Sequence, residues 1–70
     1  MMPLTLANAN EDYTIKKIGG NSELKQHLAD LGFVVGGGVK VVSTINGNLI
    51  VNVKEARIAV SREMAVRIMV

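Results

Sequence analysis

Val39-Lys40-Val41-Val42-Ser43-Thr44-Ile45, then Asn46-Gly47-Asn48, then Leu49-Ile50-Val51-Asn52-Val53: residues 39–53 are two β-branched runs around a turn signal. β-branched side chains suit a pleated, half-buried surface, so both runs read as strands. Asn-Gly tolerates the left-handed backbone of a tight hairpin turn. Register then decides which side chains enter the core, because a slip of one residue turns every side chain to the other face. A two-residue Asn46-Gly47 loop sets Val42 and Thr44 on the face of Val51 and Leu49. A three-residue loop, Asn46 to Asn48, pairs Ile45 with Leu49, Ser43 with Val51 and Val41 with Val53. The second register gathers Val39, Val41, Ile45, Leu49, Val51 and Val53 on one face and is the one expected. It turns Val42 and Ile50 outward, among Lys40, Thr44, Asn52 and Lys54.

Upstream of the hairpin the period changes. Tyr13–Ile18 reads as a first strand, stopped by Gly19-Gly20, and Met1–Asp12 as an extended lead-in whose Leu4 and Leu6 tuck against the body. Asn21 or Ser22 supplies an N-cap. Leu24, Leu28 and Leu31 follow at i, i+4 and i+7, and Gly32 stands where a left-handed C-cap is wanted, which predicts a helix over Ser22–Leu31. Such a helix is too short to persist alone, so its leucines must bury against the sheet. Val42 and Ile50 are the expected site for that packing. Left bare, they form an apolar patch of the kind that marks a contact surface. Gly36-Gly37-Gly38 redirects the chain after Phe33-Val34-Val35.

Downstream, Lys54-Glu55-Ala56 is a turn and Arg57–Val60 a strand with Ile58 and Val60 inward. Ser61–Ala65 makes one tight helical turn, and Val66–Val70 is a closing strand of strict alternation. Five short strands with one inserted helix predict a mostly β fold, a small closed barrel that removes exposed strand edges. Residues 1–70 read as one domain.

Composition narrows the function. The chain of 70 residues has no cysteine and one histidine, His27, which excludes a disulfide framework, a zinc knuckle, an iron–sulfur cluster and a thiol nucleophile. Ten valines, six isoleucines and six leucines supply the core, and the net charge is only +2. The cations are scattered and Tyr13 and Phe33 are the only rings, so the stacking platform of a nucleic-acid binder is missing and no nucleic-acid partner is expected. His27 and the serines Ser22, Ser43 and Ser61 do not assemble a nucleophile and base by spacing, and the chain is expected not to be an enzyme. The triple glycine precedes a strand and lacks the Gly-Lys-Ser/Thr ending of a phosphate loop. Glu23, His27 and Asp30 line one helix flank at i, i+4 and i+7. Two carboxylates and an imidazole suit Fe(II), but a solvated flank beside a leucine stripe looks the same. No metal site and no cofactor is therefore expected. No apolar run reaches the roughly 20 residues of a membrane span and Met1-Met2-Pro3-Leu4-Thr5 lacks a charged leader, so the expectation is a cytoplasmic protein without membrane insertion.

The order of these elements, with Leu31-Gly32-Phe33-Val34-Val35-Gly36 and Ile58-Ala59-Val60-Ser61-Arg62-Glu63-Met64-Ala65, resembles the ferrous iron transport protein A (FeoA) family over nearly the whole chain. The resemblance implies a five-stranded SH3-like barrel with one inserted short helix. It implies a non-catalytic accessory of ferrous iron uptake whose partner is the cytosolic GTPase region of the membrane ferrous iron transporter protein B. The candidate contact residues are His27, Leu31, Gly32 and Phe33 at the helix exit and Val42 and Ile50 on the hairpin. The alternatives are direct Fe(II) carriage through Glu23, His27 and Asp30, and a nucleic-acid-binding barrel. A weak homodimer is left open. Where the family often has proline, this chain has Val35, which together with three glycines implies a more mobile loop.

Overall fold

The computed structural model describes residues 1–70 and contains six strands, β1 (Asp12–Thr14), β2 (Lys17–Ile18), β3 (Gly38–Ile45), β4 (Asn48–Val53), β5 (Ala56–Val60) and β6 (Ile68–Met69). Helix α1 (Ser22–Asp30) lies between β2 and β3, and the single turn α2 (Arg62–Ala65) between β5 and β6. All pairing is antiparallel, in a four-stranded sheet ordered β1-β3-β4-β5 and a two-stranded sheet β2-β6.

The expected first strand is present but divided. Ile15 exchanges main-chain hydrogen bonds with the glycine turn, its amide donating to the Gly37 carbonyl at 2.9 Å and its carbonyl accepting from Gly36 at 2.8 Å. One residue later the Lys16 amide donates to the Met69 carbonyl at 2.8 Å. The chain thus bends at Ile15, leaving one sheet and joining the other, which is how a barrel corner is made. At the other side α2 carries the chain from β5 to β6, so the ladder is not hydrogen-bonded between those two strands.

The hairpin register differs from expectation. Ile45 pairs with Asn48, so the loop has two residues, and Asn46 (φ 51°) and Gly47 (φ 83°) both adopt left-handed backbone, as a type I′ turn demands. The valines still reach the core because a β-bulge intervenes: Ser43 pairs with Ile50 but Val41 with Val51, leaving Val42 as the extra residue. Val39, Val41, Leu49, Val51 and Val53 are buried as expected, whereas Ile45, expected with them, is 56% exposed beside the turn. The second hairpin turn, Lys54-Glu55, has positive φ at both residues (48° and 65°) without a glycine.

Helix α1 begins at Asn21, whose side-chain oxygen accepts from the Leu24 amide at 2.8 Å. It ends in a Schellman motif: Gly32 donates to the Ala29 carbonyl and Phe33 to the Leu28 carbonyl, each at 2.9 Å. Gly32 has φ +106°, which a side chain rarely adopts, and the aliphatic stem of Lys54 packs over it at van der Waals distance from where a Cβ would stand. Leu28 and Phe33 are fully buried, and Leu24 and Leu31 pack on the same core. The leucine stripe therefore closes the barrel interior and does not cover the outside of the hairpin. Leu4 also enters the core, from a 3-10 turn over Leu4–Leu6, while Leu6, expected to tuck in, is 67% exposed because that turn aims it outward. The chain ends lie side by side, Met2 and Val70 exchanging two hydrogen bonds of 2.8 Å.

Candidate functional site

The outer face of the four-stranded sheet is built from alternate residues of its strands. On β4 these are Asn48, Ile50 and Asn52, since Leu49, Val51 and Val53 point into the core. Ile50 pairs with Ser43 on β3 and Ala59 on β5. The bulge adds Val42, so that two residues of β3 oppose the single Ile50. Val42 and Ile50 are both half-buried and neither packs on the core cluster. Ile45 extends this apolar strip toward the turn.

The opposite end of the face is polar. Lys40 Nζ lies 3.6 Å from Asp12 Oδ1, and Arg57 Nε donates to Asn52 Oδ1 at 3.4 Å. A cleft of about 410 Å³ opens there, lined by Asp12, Lys40, Asn52, Lys54 and Glu55 among others. The face is thus apolar toward the hairpin turn and polar, with an ion pair, at its other end.

The remaining sequence candidates fall elsewhere. His27 is exposed on α1, Leu31 is half-buried and Gly32 is buried under Lys54. Phe33, expected on a contact surface, is 0% exposed. It can influence a surface only by holding the helix exit in place, because the Schellman turn folds it back onto Leu28. Glu23, His27 and Asp30 do not converge into a metal-holding group. Asp30 instead accepts from Gln26 Nε2 at 2.9 Å, a helix-surface pair. What sequence reasoning missed is the part played by Ala59 and Arg57, since only the observed strand order shows that β5 is a sheet edge beside Ile50.

Comparison with known proteins adds an independent line. The family model described as the FeoA domain matches residues 2–70. The chain is 36% identical over 70 residues to a protein named Fe(2+) transport protein A from Methanocaldococcus jannaschii, covering 100% of this chain and 85% of that one. A crystal structure described as an iron uptake regulatory protein, FeoA, superposes with a TM-score of 0.89 at 25% identity, over 97% of this chain and 90% of that one. A zinc complex of FeoA from Stenotrophomonas maltophilia, described as a prokaryotic SH3 domain protein, superposes with a TM-score of 0.76 at 24% identity, over 99% of this chain and 88% of that one. These likenesses agree with the SH3-like barrel and inserted helix expected from the sequence.

Proposed function

The chain belongs to the FeoA domain family, and on that premise we propose that it serves ferrous iron transport as a non-catalytic module docking on the cytosolic GTPase region of the membrane ferrous iron transporter protein B. One observation carries the reading: the helix places its leucines inside the barrel, and the apolar strip of half-buried Val42 and Ile50 and exposed Ile45 does not pack on the core. The apolar surface these side chains still expose gains about 25 cal/mol per Å2 when a partner removes it from water. Ile50 is the anchor and Val42 its neighbour. Lys40, Asp12, Asn52 and Arg57 supply the polar margin, where charges steer encounter more than they add affinity. His27 and Leu31 stand at the helix exit, tied to the β4–β5 turn through Lys54 over Gly32. They form a second, smaller contact, and Phe33 holds that exit from beneath.

The test is affinity purification of the tagged chain from cells that express the transporter. Enrichment of protein B through its cytosolic region supports the reading. Recovery of nucleic acid in its place, with salt-sensitive retention, would contradict it.

A further inference from the structure

Strand β5 is the outermost strand of the four-stranded sheet and pairs on one side only. Its turn closes on the pair Val53 and Ala56, so Ala56, Ile58 and Val60 aim their main-chain groups at β4. Arg57 and Ala59 aim theirs away, and neither main chain takes part in any turn, loop or cap hydrogen bond. Both residues are exposed. The other free edges are shorter: β1 has three residues, and β6 is flanked on both sides, by β2 and by the bridge from Pro3.

Proteins blunt such an edge with proline, a bulge, lysine or an inward charge. β5 has no proline and no lysine, and its ladder runs without a register shift. Its one charge is drawn away from the edge, because Arg57 reaches across the outer face to Asn52. The edge is regular and open.

We propose that this edge is a self-association site, at which β5 pairs antiparallel with β5 of a second copy about a two-fold axis through Ile58. The alternation fits that register. Arg57 falls opposite Ala59 of the second copy and Ala59 opposite its Arg57, and each of these two pairs exchanges two hydrogen bonds, four in all, satisfying every open group of both residues. No like charges stand directly opposite within the strand. Just beyond it Glu55 comes across from Ser61 of the second copy, beside its Arg62, which places opposite charges together. Ile58, half-buried at the rim of the barrel, meets Ile58. A foreign strand would need its own matching spacing and charge, whereas β5 carries both for itself. The resulting sheet is continuous across the dimer and sets the second copy's Arg57 in the row that runs from Ser43 through Ile50 and Ala59. This inference rests on the main-chain groups of Arg57 and Ala59, whereas docking on the transporter rests on the side chains of Val42, Ile50 and Ile45, with only the Arg57 side chain on its margin.

The chain has no cysteine of its own, so an introduced one reports cleanly. Across a two-fold axis, residues facing at Ile58 come within disulfide reach, while Arg57 and its own copy are offset by two positions and stay beyond the roughly 7 Å limit. The experiment is sedimentation of the intact chain over a concentration series up to about 1 mM, a range suited to four edge hydrogen bonds. It is joined to oxidative cross-linking of Ile58→Cys and Arg57→Cys. The expected results are concentration-dependent dimer, fast cross-linking of Ile58→Cys only, and association weakened about tenfold or more by Ala59→Pro, which removes one donor from each copy. Proline is tolerated where the lost N–H faces solvent, and circular dichroism verifies the variant's fold. A monomer throughout, equal cross-linking of the two cysteines, or a dimer indifferent to a folded Ala59→Pro would each overturn the proposal.

Discussion

The Phe33 amide donates to the Leu28 carbonyl at 2.9 Å, and the side chains of the two residues are both fully buried. The Schellman turn that stops the helix thereby also delivers the only phenylalanine of the chain into the core. Capping and core packing are here one structural event. Phe33→Ala removes the packing half of it and is expected to cost about 3–5 kcal/mol, comparable with the whole stability of a domain this small. Urea denaturation checks this. A loss below about 1 kcal/mol would mean that Phe33 is not a core residue.

The two hairpin turns predict opposite responses. Asn46 holds φ 51° in a turn suited to it, and Asn46→Val places a β-branched side chain in left-handed backbone, at an expected cost of about 1–2 kcal/mol. In a three-residue loop that position would be right-handed and the change nearly neutral. Thermal or urea melts of the variant distinguish the two registers.

Glu55 holds φ 65° without being glycine. Glu55→Gly relieves that strain at some cost in unfolded-state entropy and is expected to stabilise by about 0.5–1 kcal/mol. A raised urea midpoint at unchanged slope checks it, and a lowered midpoint would show that the Glu55 side chain contributes more than its backbone costs.

Glu23, His27 and Asp30 share a helix flank, but Asp30 is engaged by Gln26 and the three do not form one site. Anaerobic titration with Fe(II) is therefore expected to show no saturable binding that His27→Ala abolishes. One-to-one binding lost in that variant would restore direct iron carriage.

Much of the fold was legible in the sequence because each signal was local. The cap at Asn21 or Ser22, the leucine spacing, Gly32 and a hairpin turn beginning at Asn46 each depend on a few neighbouring residues. The first three lie where they were read, while the turn is one residue shorter than the loop expected. The bulge was not legible. An extra Val42 beside Val41 leaves the alternating pattern looking like a choice between two regular registers, when the molecule combines the short turn with one unpaired residue. The bend at Ile15 was hidden for a similar reason: a strand that changes partners keeps its β-branched composition. On the site, the outward placement of Val42 and Ile50 could be read from alternation. The burial of Phe33 was missed although its signal is local: the residue after the glycine of a Schellman cap commonly packs back on the last helical turn, here toward Leu28. The open edge at Arg57 and Ala59 depends on strand order, which no local pattern encodes.

The central claim is that the apolar strip around Ile50 is the docking surface. Ile50 lies on the outer face and outside the core, so Ile50→Asp is expected to leave the fold intact, as circular dichroism and a melt would show. The decisive measurement is the affinity of the wild-type chain and of Ile50→Asp for the purified cytosolic GTPase region of the transporter, by titration calorimetry. A loss of about thirtyfold or more, the roughly 2 kcal/mol of a contact hot spot, is the predicted result. Equal affinity for the two folded proteins would contradict it.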